Sequence, residues 1–229
     1  MKPTLSIIVP ALNEAASIQH TLQQTLASVR TLELQAELIV VDGGSDDDTL
    51  KLSQALADRV IESARGRASQ MNAGAAIAKG KYLLFLHADT ELPPVAVGQL
   101  KRALSRSPIW GRFDVCISGE HVMLLVIAFM MNVRSKVTGI ATGDQAMFVR
   151  RDVFEAVGGF VEQPLMEDIE LSKQLLKQAR PVCLKGPVQT SGRRWESHGV
   201  WRTIALMWRL RWRYWRGQSA EQLAREYRS

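Results

Sequence analysis

The chain has 229 residues, 46% of them hydrophobic, which suits one large domain with a full core and excludes a disordered segment. Two cysteines, Cys116 and Cys183, exclude a disulfide scaffold and point to a reducing, cytoplasmic compartment. The net charge is +6, and residues 193–229 alone hold nine arginines against three glutamates, so the basic excess lies in one segment that suits an anionic surface.

Met1-Lys-Pro-Thr4 shows no signal peptide, and the longest apolar run, Val122–Met131, is too short to cross a bilayer as a helix. Leu5–Pro10 reads as a buried strand, followed by an amphipathic helix over about Ala15–Val29. Glu37–Asp42 is a second buried strand ending in a carboxylate. A turn over Gly43–Asp48 leads to a helix over about Asp47–Leu56, with Ser45 or Asp46 as its N-cap. Val60–Glu62 is a third strand, and Gly66–Ala78 is a small-faced helix suited to close packing on a sheet. Tyr82–His87 is a fourth buried run, which stops at Asp89. This repeated alternation predicts an α/β fold with a doubly wound, mostly parallel sheet.

Ligands of such sheets sit beyond the carboxyl ends of the strands. Pro10–Glu14 (with Asn13), Asp42–Asp47 and His87–Asp89 should therefore converge at one edge. Asp42 suits a base or ribose, Arg65 and Arg67 suit phosphate, and Asp89 suits Mg²⁺ or Mn²⁺. Taken singly, Asp42, Asp46 and Asp47 also read as turn formers and caps.

In the second half, Arg112–Ser118 is a strand and Val122–Val133 a buried or interfacial helix. Thr142–Val149 is a polar loop entering a strand, Arg151–Val157 a helix closed by Gly158-Gly159, and Glu167–Leu176 a helix with two acidic residues in its first turn.

Ser6–Glu14, Val41–Thr49, Asn72-Ala-Gly74, Leu86–Thr90, Gly143–Arg150 and Glu167-Asp168 together resemble, in order and spacing, the family 2 glycosyltransferases of the GT-A fold. The run Gly66–Ala75 is similar to a bacterial subgroup associated with radical-enzyme and arsenosugar gene clusters. The resemblance covers about residues 5–190 and implies a catalytic domain over 1–192. It implies Asp168 as general base and Asp89 as the metal-binding aspartate. The substrate contacts would be Pro10, Asn13, Glu14, Asp42, Gly44, Arg65, Arg67, Asn72, His87, Gly143, Asp144, Gln145, Glu167, Arg193 and Arg194. The donor would be a UDP- or GDP-sugar and the acceptor a small molecule or a lipid-linked group, with inversion at the sugar and no nucleic acid partner. Two positions depart from the family pattern. Gly43 replaces a second aspartate, and His87 stands first in the metal motif, which leaves room for His198 as a further ligand. A nucleotidyltransferase would need a basic Gly-rich loop after Val9, which is absent; a non-catalytic nucleotide-binding module would not need Asp168.

Residues 193–229 read as a basic aromatic helical appendage of the same unit. Over Gly199–Gly217 one helix would align Trp201, Trp208, Trp212 and Trp215 on one face. Arg202, Arg209, Arg213 and Arg216 would flank them, which suits the headgroups of an anionic membrane. Packing of the tryptophans on the body is the plainer alternative.

Overall fold

Strand β1 (Leu5–Ala11) is buried along its whole length because helices cover both of its faces. Leu5, Ile7, Val9 and Ala11 point into one core layer, and Ile8 points into the other. The computed structural model describes residues 3–228, without the side chains of Arg194, His198 and Arg228. The expectations placed on Met1-Lys2, Arg194 and His198 lie outside the described residues.

After β1 come α1 (Ile18–Thr31), β2 (Ala36–Asp42), α2 (Thr49–Gln54), β3 (Arg59–Glu62), α3 (Arg67–Ile77), β4 (Tyr82–Phe85), β5 (Thr90–Glu91) and α4 (Pro94–Leu104). The second half supplies β6 (Trp110–Ser118), α5 (Met123–Thr138), a 3-10 turn at Gly143–Gln145, β7 (Met147–Arg150), α6 (Arg151–Ala156) and α7 (Glu167–Leu176). β8 (Val182–Ser191), α8 (Arg193–His198), α9 (Val200–Trp215) and α10 (Ala220–Arg228) complete the chain. The sheet order is β3-β2-β1-β4-β7-β6-β8-β5. β3, β2, β1 and β4 run parallel, and β7 is antiparallel to both β4 and β6. This is the curled, mostly parallel sheet of the GT-A fold.

The small residues of α3 let it lie close to the sheet, since a Cβ on Gly74 would stand 2.5 Å from a methyl of Ile8. A Cβ on Gly80 would meet the Ser6 backbone nitrogen at 2.6 Å, so the entry to β4 tolerates no side chain.

Two expectations are corrected and a third is narrowed. α2 starts at Thr49 rather than Asp47, and neither Ser45 nor Asp46 caps it. Asp47 instead accepts from the N–H and hydroxyl of Thr49 and from the Ala15 N–H, which ties this loop to the start of α1. The fourth strand ends at Phe85, so His87 and Asp89 lie in the loop beyond it. Of the two readings of α5, buried or interfacial, the buried one is excluded: Leu124, Ile127 and Ala128 face the core, while Val122 before it and Leu125, Val126, Phe129, Met130, Val133 and Val137 on it are exposed. Among the described residues no helix is long and apolar enough to cross a membrane.

The C-terminal helices pack on the sheet domain. Val200 and Ile204 of α9 join the main core, and Leu210 and Leu223 close over Met166 just before α7. Tyr214 donates to Glu170 of α7 at 2.6 Å and accepts from Gln163 at 3.2 Å.

Candidate active site

The loops at the carboxyl ends of β1 and β2 are stitched to each other by polar side chains. Asn13, at φ 54°, accepts from the Asp46 N–H at 2.8 Å and donates its own N–H to Ser45 Oγ at 2.9 Å. Asp42 is 2% exposed and accepts from the N–H groups of Gly44 (2.9 Å) and Ser45 (2.8 Å) and from the Ser45 hydroxyl (2.5 Å). The plain reading of Asp42 as a turn former is therefore correct for its side chain. Gly44, at φ 82°, makes the turn and leaves open space above its Cα. Pro10 is buried inside β1. Gln70, which the sequence did not single out, donates to the carbonyls of Ala11 (2.7 Å) and Val41 (2.8 Å) and pins the two strand ends together.

Beyond β4 the site becomes charged. Arg193, at the start of α8, lies 3.1 Å from Glu14 and 3.7 Å from Asp89. Asp89 opens on a cavity of about 350 Å³, which Ser17, His20, Glu91, Ser191 and Arg193 also line. His87 Nδ1 lies 3.4 Å from Asp144. A Cβ on Gly143 would sit 2.3 Å from His87 Nε2, so only glycine lets the 3-10 turn approach this ring. Asp144 is about half exposed (47%) at the cleft mouth. Enclosure by the cleft walls would raise its pKa, but the hydrogen bond and charge of His87, with Arg67 and Arg211, hold it below the ordinary carboxylate range.

Asp168, in the first turn of α7, accepts from the Gly143 N–H at 2.9 Å and from the Ile169 N–H at 2.7 Å. The two bonds fix its carboxylate, and each oxygen keeps a further acceptor site. Glu167 is 6% exposed; burial and the neighbouring Asp168 raise its pKa against the pull of Arg67. Enclosure would lower the Arg67 pKa, but the charges of Glu167, Tyr227, Asp144 and Asp168 raise it above the ordinary value. The structure thus gathers His87, Asp144, Glu167, Asp168 and Arg67 in one cleft, next to the Glu14–Arg193–Asp89 cluster. Arg65 is exposed before α3.

Two expected substrate contacts are corrected. The Asn72 amide donates to the Phe160 carbonyl and accepts from the Phe160 N–H, both at 2.9 Å, so it clasps the loop after α6. Gln145 is fully buried; its amide donates to Asn132 at 3.2 Å and accepts from the Thr142 N–H at 3.3 Å, capping the 3-10 turn. Both residues shape the site from behind.

No group of three His, Cys, Asp or Glu side chains converges on a metal-sized point among the described residues. Asp89 supplies one hard oxygen beside a cavity, and its present neighbour is the cationic Arg193. That donor set fits a divalent ion held between one carboxylate and oxygens of a ligand, and not a cage built from protein alone.

Comparison with known proteins agrees with this geometry. The undecaprenyl-phosphate 4-deoxy-4-formamido-L-arabinose transferase of Pseudomonas paraeruginosa is 31% identical over 112 residues, covering 44% of this chain and 33% of that protein. The protein of the same name from Proteus mirabilis is 31% identical over 104 residues. The chain therefore spans about a third of the length of these curated relatives. Among solved structures, S. aureus TarS superposes with a TM-score of 0.64 at 18% identity, covering 84% of this chain and 61% of that one. The mannosyltransferase PcManGT from Pyrobaculum calidifontis, in complex with GDP-Man and Mn²⁺, superposes with a TM-score of 0.61 at 22% identity, covering 83% and 57%. These two likenesses concern the fold. Residues 6–158, most of the strand-and-loop framework just described, match the glycosyl transferase family 2 domain, and the chain belongs to that family.

Proposed function

We propose that the chain transfers a sugar from a nucleoside-diphosphate sugar, UDP- or GDP-linked, to an acceptor hydroxyl with inversion at the anomeric carbon. The observation that carries this reading is Asp168: a carboxylate fixed by two backbone N–H bonds, in the same cleft as His87, Asp144 and Arg67. Such a group takes the proton of the attacking hydroxyl. One base with no enzyme nucleophile gives a single displacement and hence inversion. The stitched loops after β1 and β2 form the floor for the nucleoside, where the outer rim of Asn13 and Gly44 is exposed. Arg193 and Arg67 are placed to meet diphosphate oxygens. Asp89 would hold Mg²⁺ or Mn²⁺, and such an ion, when bound, neutralises charge on the departing diphosphate.

The acceptor side rests on the second half. The relatives named for undecaprenyl phosphate, together with the exposed apolar face of α5 and the exposed tryptophans of α9, support a lipid-linked acceptor taken at an anionic membrane surface. Residues 193–229 serve as part of the same catalytic unit, since Leu210 and Leu223 pack on Met166 beside Glu167 and Asp168. The likeness of Gly66–Ala75 to the radical-enzyme and arsenosugar subgroup adds no substrate to this reading.

Asp168→Asn tests the assignment. It keeps an oxygen for the Gly143 N–H and removes the base. Titration with UDP or GDP should give wild-type affinity, while product formation in single-turnover assays falls by about 10²–10⁴-fold. Turnover within a few-fold of wild type would remove Asp168 from the chemistry. Loss of nucleotide binding in the same variant would instead show a structural role.

A further inference from the structure

Beside the cleft lies a second set of charges that the reading above does not use. Arg134 projects from α5 and Arg211 from α9, and the charge of each is felt by Asp168 and Asp144. Arg134 Nε and one of its terminal nitrogens are sealed from water with no hydrogen-bond partner. Burial, and then repulsion from Arg211, push the Arg134 pKa down to about 10. Burial lowers the Arg211 pKa as well. The fully buried Arg112 adds a third positive charge beneath Arg134, although Asp114 and the Asn132 carbonyl hold its own guanidinium.

Buried guanidinium nitrogens without partners are costly, and two guanidiniums that repel each other are more so. The nearby carboxylates do not settle the account. His87 takes Asp144, and Glu167 is the strongest charge acting on Arg67. Asp168 has its oxygens turned to the N–H groups of Gly143 and Ile169 and forms no ion pair with either guanidinium among the described contacts. A tetrahedral anion with several acceptor oxygens would satisfy both forks at once, and Arg is the side chain suited to that geometry.

We propose that Arg134 and Arg211 form an anion site beside Asp168 that takes a phosphate monoester carried by the acceptor. The site lies on the Asp168 side of the cleft, whereas Arg193 lies with Glu14 and Asp89. Beside the base, it serves the acceptor, and the donor diphosphate is left to Arg193 and Arg67. Because α5 and α9 also carry the exposed apolar residues, a phosphate entering between them could arrive on a lipid or on a soluble metabolite. The shared chemistry is the phosphate monoester. The assignment to the acceptor rests on the glycosyl-transfer reading, but binding of the phosphate does not.

The experiment uses the full chain with two probes: glycerol 3-phosphate in solution, and hexadecyl phosphate at low mole fraction in phosphatidylcholine vesicles. Calorimetry and thermal shift are read for wild type, Arg134→Gln, Arg211→Gln and the distant control Arg30→Gln. At least one probe should bind wild type and the control, and both site variants should weaken it about tenfold or more, as for loss of a charge-assisted hydrogen bond. Arg134→Gln should also melt higher than wild type without any probe, because it removes a buried unpaired charge. Arg134→Lys should restore part of the binding. If Arg134→Gln fails to fold, Arg211→Gln with its rescue by Arg211→Lys decides. Binding of the vesicle probe alone assigns a lipid phosphate, and binding of glycerol 3-phosphate assigns a soluble one. No binding of either probe to wild type, or equal affinity in wild type and both variants, overturns the site. Titration with UDP and GDP in the same variants separates the two ideas: retained nucleotide binding with lost phosphate binding supports an acceptor site, and absent binding of both nucleotides in wild type strikes the donor reading while leaving the phosphate result in place.

Discussion

Glu167 shows how one side chain can stand against the stability of the cleft it helps to form. It is buried next to Asp168, and these two causes raise its pKa more than Arg67 lowers it. A carboxyl whose folded pKa lies above its unfolded value favours the fold when protonated. That contribution is complete below the unfolded value, roughly 4.3, and is lost as pH rises through the raised folded value. Glu167→Gln mimics the protonated form. Its melting temperature should exceed that of wild type at pH 8, and the difference should shrink toward zero as pH falls to the ordinary carboxylate range. A variant less stable than wild type at pH 8 would show that the pairing with Arg67 outweighs burial. At this scale the sequence was legible where chemistry is local. Asp89, Asp144, Asp168 and His87 stand in the cleft that their motifs imply. Asn72 was misread because its partner, Phe160, lies 88 residues along the chain, and Gln145 because its local role in capping the 3-10 turn went unrecognised. Arg134 gave no signal, and Arg211 stood out only as one of the basic residues of the tail, since their relation depends on tertiary packing.

Elements whose faces are apolar on both sides were legible, and elements set by tertiary context were not. β1, β2 and α7 follow the reading from periodicity closely. β8 was not foreseen: Gly186 and Pro187 interrupt it, and its pairing with β6 shifts register between Phe113 and Val115. Pro187 is tolerated because the irregularity relieves the ladder at that point. α10 was read only as part of a helical appendage, since its buried residues Ala220, Leu223 and Ala224 carry no signal until α9 is in place. The joint between α9 and α7 gives a prediction at this scale. Leu210 is 0% exposed and fills the space over Met166, next to Glu167 and Asp168. Leu210→Ala should destabilise the chain by about 2–5 kcal/mol in denaturant titration. It should also reduce transfer more than it reduces nucleotide affinity, because α7 carries the base and not the nucleoside floor. Equal losses in both would mean that the joint supports the whole domain and not α7 in particular.

For the molecule as a whole, the unresolved choice was whether the tryptophans of the tail pack inward or face out. Trp201, Trp208, Trp212 and Trp215 are 69%, 71%, 58% and 79% exposed, so packing on the body does not explain them. The inward face of α9 is made instead by Val200, Thr203 and Leu210. The arginines beside the tryptophans are not equivalent. Arg209 and Arg213 both hold Glu226 of α10, whereas Arg216 lies over the Trp212 ring at 5.3 Å and Arg202 is exposed. Four exposed indoles next to guanidiniums suit a headgroup layer, where each basic residue near an anionic surface contributes on the order of 1 kcal/mol. Leu124 of α5 and Val200 of α9 belong to the same core layer. Leu125, Phe129 and Met130 give α5 an exposed apolar face of its own. Because Tyr214 holds α9 to Glu170, a bilayer under α9 would lie at a fixed height below Asp168. The prediction is co-sedimentation with anionic vesicles and not with neutral ones, released as salt rises and the screening length falls from ~10 Å toward ~3 Å. Trp208→Ala with Trp215→Ala should abolish binding with little change in melting temperature, since these two rings are 71% and 79% exposed. Brominated lipids should quench wild-type tryptophan fluorescence and quench the double variant much less. Full recovery of the wild-type protein in the supernatant at low salt would show that this face meets something other than a membrane.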